Sequence, residues 1–130
     1  MTKMEIDYLD NLFRRVINSP LFDAIGIYDN NGEKVWYLEL SEEDDAYVFP
    51  HISELWEYLS DKIAIKPIEK MTAPMYFSKI ENIKDSLILK YLIIDKNQKW
   101  ILGKNNKEQI FNTLYDALNY LTSSNGLTNE

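Results

Sequence analysis

The stretch FDAIGIYDNNGEKVWYLEL, residues 22–40, decides the fold class. Phe22 to Tyr28 and Val35 to Leu40 are rich in the aromatic and β-branched side chains that fit a pleated, half-buried surface. Between them Asn31-Gly32 accepts the positive φ angles of a type I′ turn, whose twist matches that of the strands it joins. A β-hairpin is therefore predicted here, and the rest of the chain must supply the layer that covers it.

On the N-terminal side, Thr2 and Glu5 have the spacing of a capping box, and Ile6, Leu9, Leu12, Phe13, Val16 and Ile17 recur on one helical face. A helix over residues 3–18 follows, with Asp7, Asp10, Asn11 and Arg14 on its solvent face, Arg14-Arg15 as a solvated end and Asn18-Ser19-Pro20 as the stop. On the C-terminal side, Ser41 to Asp45 reads as an acidic loop and Ala46 to Phe49 as a short third strand. Pro50 suits the first turn of a second helix running to Lys62, with Ile52, Leu55, Trp56 and Leu59 as its apolar stripe.

The pattern then weakens. Ile63 to Pro74 reads as a crossover, Met75 to Ile80 as a strand, and Leu87 to Asp95, apolar on both faces, as a central strand. Lys96-Asn97-Gln98 turns into a strand from Lys99 to Gly103. Asn105 with Glu108 has the spacing to cap a last helix carrying Ile110, Phe111, Leu114, Leu118 and Leu121. The expectation is an α+β domain over residues 1–122, an antiparallel sheet with helices on one side in the order α-βββ-α-(β)ββ-α, followed by a frayed polar tail at 123–130.

Two hairpin-plus-helix units resemble each other. Ile27-Tyr28-Asp29-Asn30-Asn31 followed by Trp36 parallels Ile93-Ile94-Asp95-Lys96-Asn97 followed by Trp100. The helical positions Ile52, Leu55, Trp56 and Leu59 align without gaps against Phe111, Leu114, Tyr115 and Leu118, which suggests an internal strand-strand-helix repeat.

Charge is lopsided. Residues 1–65 carry 14 Asp and Glu against 5 Lys and Arg, whereas residues 66–130 carry 7 against 9, within a net charge of −7. Glu39, Glu42, Glu43, Asp44, Asp45, Glu54, Glu57 and Asp61 fall in one stretch without Lys or Arg, interleaved with aromatics that include Tyr47 and Tyr58. Self-repulsion makes such clustering unfavourable for folding, so it points to solubility or binding.

The usual carriers of catalysis are sparse. There is no Cys and a single His, His51, so thiolate sites, disulfides, histidine pairs for zinc and histidine-based triads in the ordinary form have no basis. Glu42 to Asp45 lacks the ligand alternation and central glycine of a calcium loop, and Gly26, Gly32, Gly103 and Gly126 are too scattered for a phosphate-binding loop. No cofactor, no metal and no enzymatic activity are expected, an enzyme with an unrecognised site being the lesser alternative. No stretch approaches the roughly 18 apolar residues of a membrane span, and a soluble, cytoplasmic protein is expected.

Acidity disfavours direct nucleic-acid binding and favours a basic protein partner. Lys90, Lys96, Lys99, Lys104 and Lys107 around Trp100 form the nearest basic stripe, one that also serves to protect a strand edge. The expected function is a non-catalytic antagonist, such as an immunity protein, an antitoxin or a phage anti-defence inhibitor, that masks a basic, nucleic-acid-binding surface of a nuclease, toxin or defence complex. Its contact residues would be Glu39, Glu42, Glu43, Asp44, Asp45, Tyr47, Glu54, Glu57, Tyr58 and Asp61. In topology alone the chain also resembles dimeric secretion chaperones; that resemblance implies a homodimer or a client segment along an edge strand and carries over no residues.

Overall fold

A computed structural model describes the backbone of residues 1–127 and the side chains of residues 1–123. The elements run α1 (Lys3–Asn18), β1 (Phe22–Asn30), β2 (Glu33–Leu40), β3 (Tyr47–Phe49), α2 (Ile52–Lys62), α3 (Pro67–Thr72), a 3-10 turn (Ala73–Tyr76), α4 (Phe77–Ser86), β4 (Tyr91–Asp95), β5 (Trp100–Lys104), β6 (Lys107–Phe111) and α5 (Leu114–Leu127). All six strands form one antiparallel sheet in the order β3-β2-β1-β4-β5-β6.

The opening hairpin forms as read: Asn30 pairs with Glu33 across Asn31 (φ 56) and Gly32 (φ 96). The capping box of α1 is also present, with the Glu5 N–H donating to Thr2 Oγ1 at 3.2 Å and the Thr2 N–H to Glu5 Oε1 at 2.9 Å. Ile25, Ile27, Trp36, Leu38, Leu92, Ile94, Trp100 and Leu102 turn one sheet face towards the helices and join a single apolar cluster with Leu9, Phe13, Ile17, Leu55, Leu59, Ile80, Leu118 and Leu121. Across this face α1 packs on β1 and β4, α5 on β5 and β6, α4 on β2, and α2 on β3 and α4. The helices thus occupy one side, and among the described residues the other side of the sheet is bare.

Several sequence expectations are corrected. Residues 75–80 are helical, not a strand: Phe77, Ile80 and Lys84 fall on one face of α4, and Pro67 stands at the first position of α3 inside the expected crossover. Residues 107–111 are strand β6, not the start of the last helix. Asn105 (φ 55) and Asn106 (φ 62) both take the left-handed conformation, closing a two-residue hairpin that pairs Lys104 with Lys107. Ile110 is consequently 68% exposed, and the helix begins only at Leu114, where the Asp116 N–H donates to Thr113 Oγ1. Pro50 and His51 precede α2 rather than opening it. The tail expected from residue 123 begins inside α5, whose backbone runs to Leu127; residues 128–130 lie outside the described ones.

The gapless helix alignment is shifted, since Phe111 ends β6 and Ile52 corresponds to Leu114, the first residue of its helix. The resemblance between halves is nevertheless larger than a hairpin and a helix. Each half is a leading helix, a three-strand meander and a closing helix, and the halves meet at β1 and β4 so that strand order reads the same from either edge. The polar core repeats the relation. In the second half, Trp100 Nε1 donates to Asp10 Oδ1 at 2.8 Å and the Leu114 N–H to Asp10 Oδ2 at 3.0 Å. In the first half, Trp36 Nε1 and the Ile52 N–H both donate to Glu81 Oε1.

A base accompanies each carboxylate. Arg14 donates to Asp10 and to the carbonyls of Gln98 and Asn112. Lys84 pairs with Glu81 and donates to the carbonyls of Lys34 and Pro50. Gln98 and Lys34 lie two residues before the tryptophans; Asn112 and Pro50 lie two residues before the helix starts. Asp10 and Arg14 are therefore not solvent-facing, as the helical wheel suggested: Asp10 is 4% exposed, and burial is tolerated because every charge is matched and hydrogen-bonded. Arg15 is engaged as well, in an ion pair with Glu69.

Candidate functional site

Leu21, Glu42, Glu43, Tyr47, Tyr58 and Lys62 border a groove of about 250 Å³ at the β3 end of the molecule, between the β2–β3 loop and α2. Its wall forms because Tyr47 leaves the short edge strand beside Tyr58 of α2: their rings meet edge to face at 5.6 Å, and Phe49 packs on Tyr58 at the same centroid distance. The Tyr47 hydroxyl donates to both Glu43 oxygens, at 3.1 and 3.2 Å, and that hydrogen bond to a carboxylate raises its pKa. Burial first, then the Glu43 charge, raises that of Tyr58. Lys62 Nζ lies 5.4 Å from the Tyr58 ring centroid, so the groove has a basic residue at its border.

Of the ten expected contact residues, Glu42, Glu43, Tyr47 and Tyr58 meet at this groove. Asp44 and Asp45 stay in the exposed loop, and Glu54, Glu57 and Asp61 form an exposed stripe along α2, opposite buried Ile52, Leu55 and Leu59. Glu54 also accepts the His51 N–H at 3.2 Å, which makes it a helix-start residue. Glu39 belongs elsewhere: it stands on the bare face of the sheet and accepts the Tyr37 hydroxyl at 2.7 Å.

Ion pairing distinguishes these carboxylates from seven others, while Asp23, Glu33, Asp95, Glu108 and Asp116 are likewise in no ion pair among the described residues. Glu5, Asp7, Asp10, Asp29, Glu69, Glu81 and Asp85 each lie within 4.0 Å of a cationic side chain. Glu39, Glu42, Glu43, Asp44, Asp45, Glu54, Glu57 and Asp61 do not, among the described residues. The lysine stripe of the second half is partly committed to structure, because Lys96 Nζ caps α1 at the Ile17 and Ser19 carbonyls and Lys99 Nζ donates to Asn112 Oδ1.

The sequence reading missed a second surface. On the bare face, Val48, Tyr37, Gly26, Ile93, Ile101 and Ile110 are successive cross-strand partners through all six strands. Tyr28, Tyr37, Tyr91, Ile93, Ile101 and Glu108 border a groove of about 240 Å³ there. Gly26, buried between Tyr37 and Ile93 in this register, lets β1 and β4 approach closely, since a Cβ at that position would stand 2.1 Å from the Leu92 carbonyl oxygen. The available signal was the alternation of Tyr28, Tyr37 and Tyr91 with core residues, which the apolar character of both faces of β4 concealed.

Among the described residues no group of three or more His, Asp or Glu side chains could hold a metal ion, and no helix is long and apolar enough to cross a membrane. Comparison with known protein families, with curated proteins and with solved structures found no match to this chain.

Proposed function

We propose that this protein is a non-catalytic, acidic antagonist, an immunity protein, antitoxin or phage anti-defence inhibitor acting in the cytoplasm, that covers a basic surface of its target. The observation that carries this reading is the unbroken run of eight carboxylates between Glu39 and Asp61, none of which has a cationic side chain within 4.0 Å among the described residues. Carboxylates held on a folded scaffold compete with phosphate for a basic surface, and the aromatic groove beside them supplies apolar area once contact is made. Seven of the eight lie at the β3 end, on the loop and α2; Glu39 extends the acidity onto the bare sheet face.

The test is affinity capture from the source cell with the native chain and with a variant carrying Lys at positions 42, 43, 44 and 45. The native chain is expected to retain a nuclease, toxin or nucleic-acid-binding complex in a salt-sensitive manner, and the variant to lose it while folding normally. Capture of no such partner, or equal capture by both, counts against the reading.

A second reading, a chaperone-like dimer that holds an effector segment, is favoured by β6, which ends the sheet with Lys107 to Ile110 exposed. It predicts a stable dimer and one secreted client. Sedimentation of the purified chain separates the two readings.

A further inference from the structure

The strand residues on the bare face of the sheet include acidic but no basic side chains. Cross-strand partners share a face, so the register assigns the strand residues on this side. Those that carry charge are Glu33, Glu39, Asp95 and Glu108, and none is basic. No Lys or Arg borders the groove. The cation–π contacts of the described residues are made by Lys3 on Tyr115 and Lys62 on Tyr58, which leaves the rings of Tyr28, Tyr37 and Tyr91 without a cation.

These rings stand close together. Tyr28 and Tyr91 are direct cross-strand partners, and the Tyr28 and Tyr37 centroids are 5.8 Å apart. Two hydroxyls are turned away from the ring faces and fixed to carboxylates: Tyr37 donates to Glu39, and Tyr91 donates to Glu108. A carboxylate accepts several hydrogen bonds, so Glu108 keeps acceptor sites for a further donor. The wall is aromatic, the floor is Ile93 and Ile101, and one rim is anionic.

A planar guanidinium meets all three conditions, because it stacks on aromatic faces while its N–H fork reaches a carboxylate. We propose that this groove seats an arginine side chain of the basic protein partner, with Tyr28, Tyr37 and Tyr91 contacting its plane and Glu108 accepting from its N–H groups. This assignment rests on the reading that the partner is basic and moves its anchor from the acidic loop to the sheet face.

The test is an NMR titration of the full chain with the peptide acetyl-Gly-Gly-Arg-Gly-Gly-amide, and with the same peptide carrying citrulline, which keeps the shape and removes the charge. The arginine peptide is expected to shift the ring signals of Tyr28, Tyr37 and Tyr91 saturably, and the citrulline peptide to leave them in place. Tyr37→Leu is expected to weaken binding about two- to fivefold. Glu108→Gln, on the exposed strand β6, retains the fold and is expected to weaken it comparably. Equal shifts with citrulline overturn the proposal. Shifts confined to residues 42–61 also overturn it while leaving the basic-partner reading intact, whereas no response anywhere removes both. Concentration-dependent shifts of the same rings without peptide would assign the face to a second copy of the chain.

Discussion

Trp36 and Trp100 hold equivalent places: each fills the core from the middle strand of its half, and each donates its indole N–H to a carboxylate on the leading helix of the other half. Both are 1% exposed, and the ring of Phe13 lies between them, with centroids at 5.9 and 5.8 Å. The two halves are thereby interlocked, since α1 completes the second meander and α4 the first.

Breaking either hub should be costly. Asp10→Ala leaves the Trp100 indole and the Leu114 N–H without their acceptor and Arg14 with carbonyl partners alone, and Glu81→Ala does the same to the Trp36 indole and the Ile52 N–H while leaving Lys84 its two carbonyls and Asp85. Each is expected to lose about 3–5 kcal/mol in urea unfolding. Glu57→Ala, on the exposed stripe of α2, should stay within about 0.5 kcal/mol of the native chain.

The corrected start of the last helix has its own signature. Ile110 is exposed on β6, so Ile110→Ala should change stability by less than about 1 kcal/mol. Leu114→Ala, Leu118→Ala and Leu59→Ala remove side chains at most 3% exposed and should each cost about 2–5 kcal/mol. Thermal unfolding of the four variants separates strand from helix at position 110.

Gly26→Ala should be tolerated poorly, because the residue is buried against the neighbouring strand. The added methyl meets backbone, the Leu92 carbonyl oxygen at 2.1 Å and Ile93 Cα at 2.6 Å, so β1 and β4 must part. A loss of about 1–3 kcal/mol is expected, with faster amide exchange confined first to the β1–β4 pairing.

Acid sensitivity should trace in part to α3. The Arg15 guanidinium hydrogen-bonded to Glu69 holds that carboxyl below its ordinary value of 4.5, against the opposing effect of burial. A depressed folded-state pKa contributes stability that is present above the unfolded value and disappears as pH falls through the folded one, because the unfolded chain then binds the extra proton. Glu69→Gln is therefore expected to lower stability at neutral pH and to flatten its decline below about pH 4.5, measured as urea midpoints across pH.

Where the sequence pattern was local, it was sufficient. The hairpin of residues 22–40 followed from Asn31-Gly32, and α1 followed from Thr2, Glu5 and a six-residue apolar stripe, since backbone sterics and capping act within a few residues. Asn105-Asn106 was the local signal for β6 that went unread: without a glycine it resembled a helix cap. The acidic stretch was legible as composition, and four of its expected contact residues converge on one groove.

What the sequence alone determined is thus the α+β class, the antiparallel sheet with helices on one side, and the segregation of acid into one region. Only the tertiary structure decided that Asp10 is buried and Arg14 half-buried, because their partners Trp100, Leu114 and Asn112 are distant in the chain and a helical wheel cannot register them. It also decided which apolar face stays uncovered. Strand alternation assigns Tyr28, Tyr37, Tyr91 and Ile93 to one side, but whether helices cover that side depends on how the connections cross the sheet, and here they all cross the other.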